Sequence, residues 1–201
     1  MLSYFRQQRL MIQSGTALPA AQSLLQLAGQ GELETALNPK PDAAAVLAAI
    51  AQAYQDGYEQ QASTEFELQG IAFAGSGDPL LAVELLSQVV PAFKAQRHGV
   101  PVTLVTYGLV SATEAEQLCQ QLIALEVERL EIYLPAVNPP AYQQAVRPIQ
   151  YGFADVCQFI HTAAEAGLQV SCFAYAPVKQ ASEIRALSKE LGARDFQILG
   201  T

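Results

Sequence analysis

The chain has 201 residues, of which 51% are hydrophobic and 15% are charged, and its formal net charge is −8. This composition is typical of one folded domain and excludes a disordered tail. An acidic chain whose basic residues are scattered singly repels phosphate backbones and anionic lipid surfaces, so we expect neither a nucleic-acid partner nor a membrane partner.

The chain has no apolar run long enough to span a bilayer, and no apolar signal segment follows its first charged residues. The three cysteines, Cys119, Cys157 and Cys172, are odd in number and widely spaced. This pattern favours free, buried thiols in a reducing compartment over disulfides or a metal site. We therefore predict a cytoplasmic protein with no metal ligands.

Residues 2–58 are rich in Ala, Leu and Gln, which favour helices. The clearest helix signal begins at Asp42, a good N-cap, and continues with apolar side chains at Val46, Ile50 and Tyr54 on one face. We assign residues 1–38 to an N-terminal helical extension and residues 39–201 to the main domain.

After Phe66 the pattern changes to short apolar runs that alternate with amphipathic segments, about 30 residues apart, the size of a βα unit. Nearly all-apolar strands indicate a parallel α/β fold. Five strands are evident, with a sixth if the N-terminal segment hides one. This number fits a partial (β/α) barrel or an open doubly wound sheet, both of which place ligand sites at the carboxyl ends of strands. The five runs are Leu68–Ala74, Val102–Tyr107, Leu130–Leu134, Val170–Tyr175 and Phe196–Leu199.

The first of these carboxyl ends leads into Gly75, Ser76, Gly77 and Asp78, followed by Pro79. Glycines allow a tight turn and close approach of a ligand, whereas Asp before Pro is typical of a helix N-cap. The segment is therefore either a binding loop or an ordinary strand–helix turn. It is not a phosphate-binding loop, because no Lys follows it.

Three further candidates lie at or after the next strand ends. Thr106 ends the second run with a hydroxyl, and Tyr133 lies near the end of the third. Arg147 follows the third run and has the charge to pair with a carboxylate, although a surface ion pair is the commoner role of a single Arg. His98 and His161 lie in helical segments away from these ends, and we assign no catalytic residue.

The order of these motifs resembles the core of the radical S-adenosylmethionine (SAM) enzymes, most closely the small members associated with TatD-type nucleases. The resemblance covers about residues 39–201 and implies a partial (β/α) barrel. It implies that Gly75–Asp78 bind the amino group of SAM, with Asp78 at a position where the family has Glu. The family has a Thr-Asn-Gly stretch that is similar to Thr106-Tyr107-Gly108. It also has a Ser-Leu-x-Ala stretch that faces the ribose, and Tyr133-Leu-Pro-Ala136 is similar to it. The pair Arg147-Pro148 also matches the family pattern.

One departure from the family concerns its chemistry. Radical SAM enzymes hold a [4Fe–4S] cluster by Cys-x-x-x-Cys-x-x-Cys after the first strand, whereas residues 1–65 contain no cysteine. We therefore expect no cluster and no radical chemistry from this chain alone. Two functions stay open: retained binding of SAM or a nucleoside, or a non-catalytic interaction role with an empty site. A homodimer or a protein partner would use the open barrel edge or the N-terminal helices.

Overall fold

The structure is a computed structural model that describes residues 3–6, 9–13, 16–17, 42–60, 70–74, 77–148 and 150–199. Nine strands lie within these residues: β1 Ser3–Arg6, β2 Arg9–Gln13, β3 Thr16–Ala17, β4 Gly70–Ala74, β5 Gly77–Asp78, β6 Val102–Thr106, β7 Arg129–Tyr133, β8 Gln169–Tyr175 and β9 Asp195–Leu199. The described α-helices are α1 Ala43–Gln60, α2 Val83–Gln96, α3 Ala115–Ala124, α4 Pro139–Val146, α5 Phe153–Glu165 and α6 Ala181–Glu190, with a 3₁₀ helix at Pro79–Ala82.

The main sheet has the strand order β1-β2-β4-β6-β7-β8-β9. Every neighbouring pair from β2 to β9 is parallel, and β1 pairs antiparallel with β2 at one edge. Parallel strands that follow one another in chain order through right-handed crossovers place their helices on one face of the sheet. The result is an open, partial (β/α) barrel of six parallel strands, which confirms the predicted α/β fold and excludes the doubly wound alternative.

The interpretation of residues 2–58 as helical is wrong for β1, β2 and β3. A five-residue apolar run fits a strand or a helix equally well by periodicity, and pairing with a neighbouring strand decides between them. Arg9–Gln13 pairs in parallel with Gly70–Ala74, so it is the hidden sixth strand. The helix that begins after Asp42 is confirmed, since the Asp42 Oδ1 accepts a hydrogen bond from the Ala45 N–H at 2.7 Å. Residues 18–41 lie outside the described part, and the boundary at residue 38 stays a prediction.

The hydrophobic core lies between the sheet and the helical layer. Register places Leu104, Leu130 and Val170 side by side on the helix-facing side, and all three are fully buried. At the amino-terminal ends of the strands, Glu128 accepts a hydrogen bond from the Val102 N–H at 2.6 Å and pairs with the buried Lys94 of α2. This pair fastens α2 to the sheet. Within the described residues, no helix combines the length and apolar composition needed to cross a bilayer.

Gly108, at the turn that follows β6, is packed against both layers. Its φ of +66° lies in the left-handed region, and a Cβ there would meet side-chain atoms of Ile132 and Phe159 at 3.1 Å and of Val156 at 3.2 Å. The absence of a side chain therefore lets the chain leave the sheet directly under α5.

We expect Gly108→Ala to lower the free energy of unfolding by about 2–4 kcal/mol, because left-handed strain and overpacking add. Gly99→Ala is the matched control, since Gly99 has a φ of +83° but no atom within 4 Å of its Cβ position. We expect Gly99→Ala to lower the free energy of unfolding by about 1 kcal/mol, from left-handed strain alone. Urea unfolding measures both variants, and equal losses would contradict the packing explanation.

Candidate functional site

Asp78 is the centre of the carboxyl-terminal edge of the sheet. Pairing of Gly77 and Asp78 with Ala17 and Thr16 holds the backbone that carries it. The side chain caps the 3₁₀ helix through a 2.9 Å hydrogen bond from the Leu80 N–H to Oδ1. Asp78 is only 3% exposed. The predicted N-cap is thus confirmed, and the residue is also a buried carboxylate.

Three more hydrogen bonds connect Asp78 to the end of β6. The Thr106 hydroxyl lies 2.7 Å from both carboxylate oxygens, and the Tyr107 N–H donates to Oδ2 at 2.9 Å. Thr106 Oγ1 in turn accepts from the Gly108 N–H at 2.9 Å. The structure therefore brings together two predicted site residues, Asp78 and Thr106, but their polar groups bond to each other and to the backbone.

Burial raises the pKa of Asp78 above its usual 3.8, and the hydrogen bonds from Thr106, Leu80 and Tyr107 oppose this effect without overcoming it. Desolvation penalises the charged form, whereas donors stabilise it. The protonated carboxyl of Asp78 is consequently favoured more in the folded state than in the unfolded chain.

Tyr133, a further predicted site residue, lies in an aromatic cluster on the concave side of the sheet. Its ring centroid is 5.8 Å from that of Tyr107, 5.5 Å from Phe173 and 5.9 Å from Tyr175. Burial, followed by the neighbouring Tyr175, raises the pKa of Tyr133 to about 12. Tyr133 is therefore a neutral packing residue at physiological pH.

Arg147, another predicted site residue, does not join this group. Arg147 is exposed and ends α4 in a left-handed conformation with a φ of +52°. Gly77 lies next to Asp78, and its backbone pairs with Ala17. Gly75 and Ser76 lie outside the described residues.

A cleft of about 380 Å³ opens beside Asp78, between the 3₁₀ helix, the loop after β6 and α3. Its volume lies within the range of about 300–1,000 Å³ typical of small-molecule sites. Sequence reasoning missed this cleft, although the spacing of Glu114, Gln117, Leu118 and Gln121 on one face of α3 was a readable signal. The described lining consists of Asp78, Leu80, Leu81, Leu109, Val110, Ser111, Glu114, Gln117, Leu118, Gln121, Gln150 and Tyr151.

The cysteines do not form a donor set for an iron–sulfur cluster. Cys119, Cys157 and Cys172 lie on α3, α5 and β8. Burial raises the pKa of Cys119 and Cys157 to about 11 and that of Cys172 to about 12, whereas metal ligation needs thiolates. In the part of the chain that the structure describes, no three His, Cys, Asp or Glu side chains converge.

Comparison with solved structures shows similarity of fold. SuiB from Streptococcus suis, solved with the precursor peptide SuiA, gives a TM-score of 0.67 at 10% identity, over 94% of this chain and 38% of SuiB. The methylornithine synthase PylB gives 0.58 at 12% identity, over 96% of this chain and 52% of PylB. The chain thus spans about half or less of these proteins. No protein-family model and no curated protein matches the sequence. The chain therefore shares the fold of SuiB and PylB.

We expect Asp78→Asn to lower the free energy of unfolding by about 1–3 kcal/mol near neutral pH, since the amide NH₂ leaves one backbone donor, at Leu80 or Tyr107, without an acceptor. Asp42→Asn is the control, because Asp42 is an exposed N-cap and Asn caps helices equally well. Urea unfolding compares the two, and equal losses would contradict the role of burial.

The same variants test the sign of the pKa shift. A carboxyl whose pKa is raised on folding stabilises the folded state most below its unfolded pKa and loses that contribution as pH rises through the folded pKa. The amount by which the free energy of unfolding of the wild type exceeds that of Asp78→Asn should therefore grow as pH falls from neutrality towards about 3.8. Urea unfolding at several pH values measures it, and an advantage that shrinks on acidification would contradict the shift.

Proposed function

We propose that this chain is a radical-SAM-like ligand-binding domain that holds SAM or a related nucleoside at the cleft beside Asp78 and performs no radical chemistry by itself. The observation that carries the proposal is the cleft at the carboxyl-terminal edge, where α/β folds bind ligands. The motif order supports the narrower assignment to the TatD-associated group of small radical-SAM-like proteins.

Within this proposal Asp78 acts as a structural carboxylate rather than as the ligand of an amino group. The carboxylate already accepts from Leu80, Thr106 and Tyr107 and is almost fully buried. Such a carboxylate orders the loop and forms part of the cleft wall. The residues around it fit the nucleoside part of the ligand, because apolar side chains and carboxamides line the same cleft.

Titration calorimetry with SAM tests this function. We expect saturable heat with the wild type, and at least a tenfold loss of affinity in Leu81→Trp, whose indole fills the cleft from its edge. Ile123→Trp is the matched control: Ile123 is also an exposed apolar residue, at 39% exposure against 51% for Leu81, but it does not line the cleft. No heat at millimolar SAM would reject the cofactor proposal.

A second candidate is a non-catalytic interaction role through the open edge at β9. Ile198 of this strand is 44% exposed, and Asp195 at its start is the one charged residue in the strand. Edge strands without protecting charges favour pairing with another chain. Antiparallel pairing of two copies about Gln197 would place Asp195 opposite Leu199, so the two Asp195 carboxylates would not face each other.

Light scattering after gel filtration distinguishes this role from that of a monomeric binding domain. If β9 pairs with a second copy, the wild type has twice the monomer mass, and Ile198→Lys restores the monomer because two ammonium groups flank the seam. Ile123→Lys should leave the mass unchanged. A monomeric wild type at high micromolar concentration would reject self-association through β9.

A further inference from the structure

The cleft beside Asp78 is apolar along one wall. Leu80 and Val110 are buried, whereas Leu109 is half-buried. Leu81 at the edge is 51% exposed. A wall of this kind accepts a flat apolar body and excludes water from one side of it.

The facing wall carries carboxamides. Gln117 and Gln121 lie one turn apart on α3, so both side chains project from the same face of the helix. Gln150 approaches from the loop before α5, where its Nε2 donates to the Tyr151 hydroxyl at 3.1 Å. A carboxamide donates and accepts at once, which matches the alternating donors and acceptors on the edge of a nucleobase.

Charge limits the ligand further. The described lining contains two carboxylates, Asp78 and Glu114, and neither Lys, Arg nor His. Phosphate sites in proteins use cations or free backbone amides, and the Leu80 and Tyr107 amides that face this corner already bond to Asp78. A phosphate placed here would meet like charge without compensation.

We infer that the cleft recognises the base of a nucleoside that carries no phosphate, with Gln117 and Gln121 bonding the base edge and Leu80 and Leu109 contacting its face. The inference rests on the proposed function and narrows its ligand class: neutral or cationic nucleosides bind, and nucleotides are excluded. It also makes α3 the element that determines specificity.

The test is calorimetric titration of the full chain with adenosine, adenosine 5′-monophosphate and SAM. We expect adenosine to bind saturably and the monophosphate to bind at least tenfold more weakly. Gln117→Leu and Gln121→Leu should each weaken adenosine binding by about three- to tenfold, the factor of one neutral hydrogen bond. Gln120→Leu is the control, since Gln120 is exposed on the same helix but does not line the cleft. Thermal unfolding verifies that all variants are folded.

Each result has one meaning. No adenosine binding at millimolar concentration, equal binding of adenosine and its monophosphate, or equal effects of all three leucine variants would overturn the inference. SAM binding that is lost in Leu81→Trp but unaffected by Gln117→Leu and Gln121→Leu would keep the proposed function and overturn the placement of the base. Adenosine binding without SAM binding would support the inference and reject SAM as the ligand.

Discussion

The carboxyl-terminal edge of this protein is organised by one buried carboxylate. Asp78 joins the start of the 3₁₀ helix, through Leu80, to the end of β6, through Thr106 and Tyr107, which lie 28 and 29 residues further along the chain. Removing a carboxylate from water is costly unless donors surround it. Those donors come from two consecutive βα units. The hydrogen bonds that Asp78 accepts therefore fix the position of the 3₁₀ helix relative to the end of β6.

The incomplete barrel sets the second constraint. Six parallel strands in chain order curve with their helices on one side, and the concave side is left without a complete ring of strands. At its carboxyl-terminal end the concave side is filled by Tyr107, Tyr133, Phe173 and Tyr175, with edge-to-face and tilted ring contacts. Aromatic packing of this kind occupies the space at that end of the sheet, whereas the cleft beside Asp78 stays open.

A radical-SAM-like fold and radical chemistry are separable properties. The fold depends on apolar strands, helix packing and the crossover rule, none of which needs a metal. The chemistry depends on thiolates gathered in one loop, and the cysteines of this chain lie on three elements with burial favouring the neutral thiol. The similarity to SuiB and PylB therefore concerns the architecture of this chain alone.

The sequence by itself determined the parallel α/β class, the five strands β4, β6, β7, β8 and β9, and the N-caps at Asp42 and Asp78, because these depend on local patterns of apolar and capping residues. Tertiary structure decided the rest. Strand β2 was ambiguous until β4 offered it hydrogen-bonding partners. The contact between Asp78 and Thr106 depends on how close the loop after β4 lies to the end of β6, and no local sequence pattern encodes that distance. The cleft arises from three separate segments, so its lining became apparent only after they packed together.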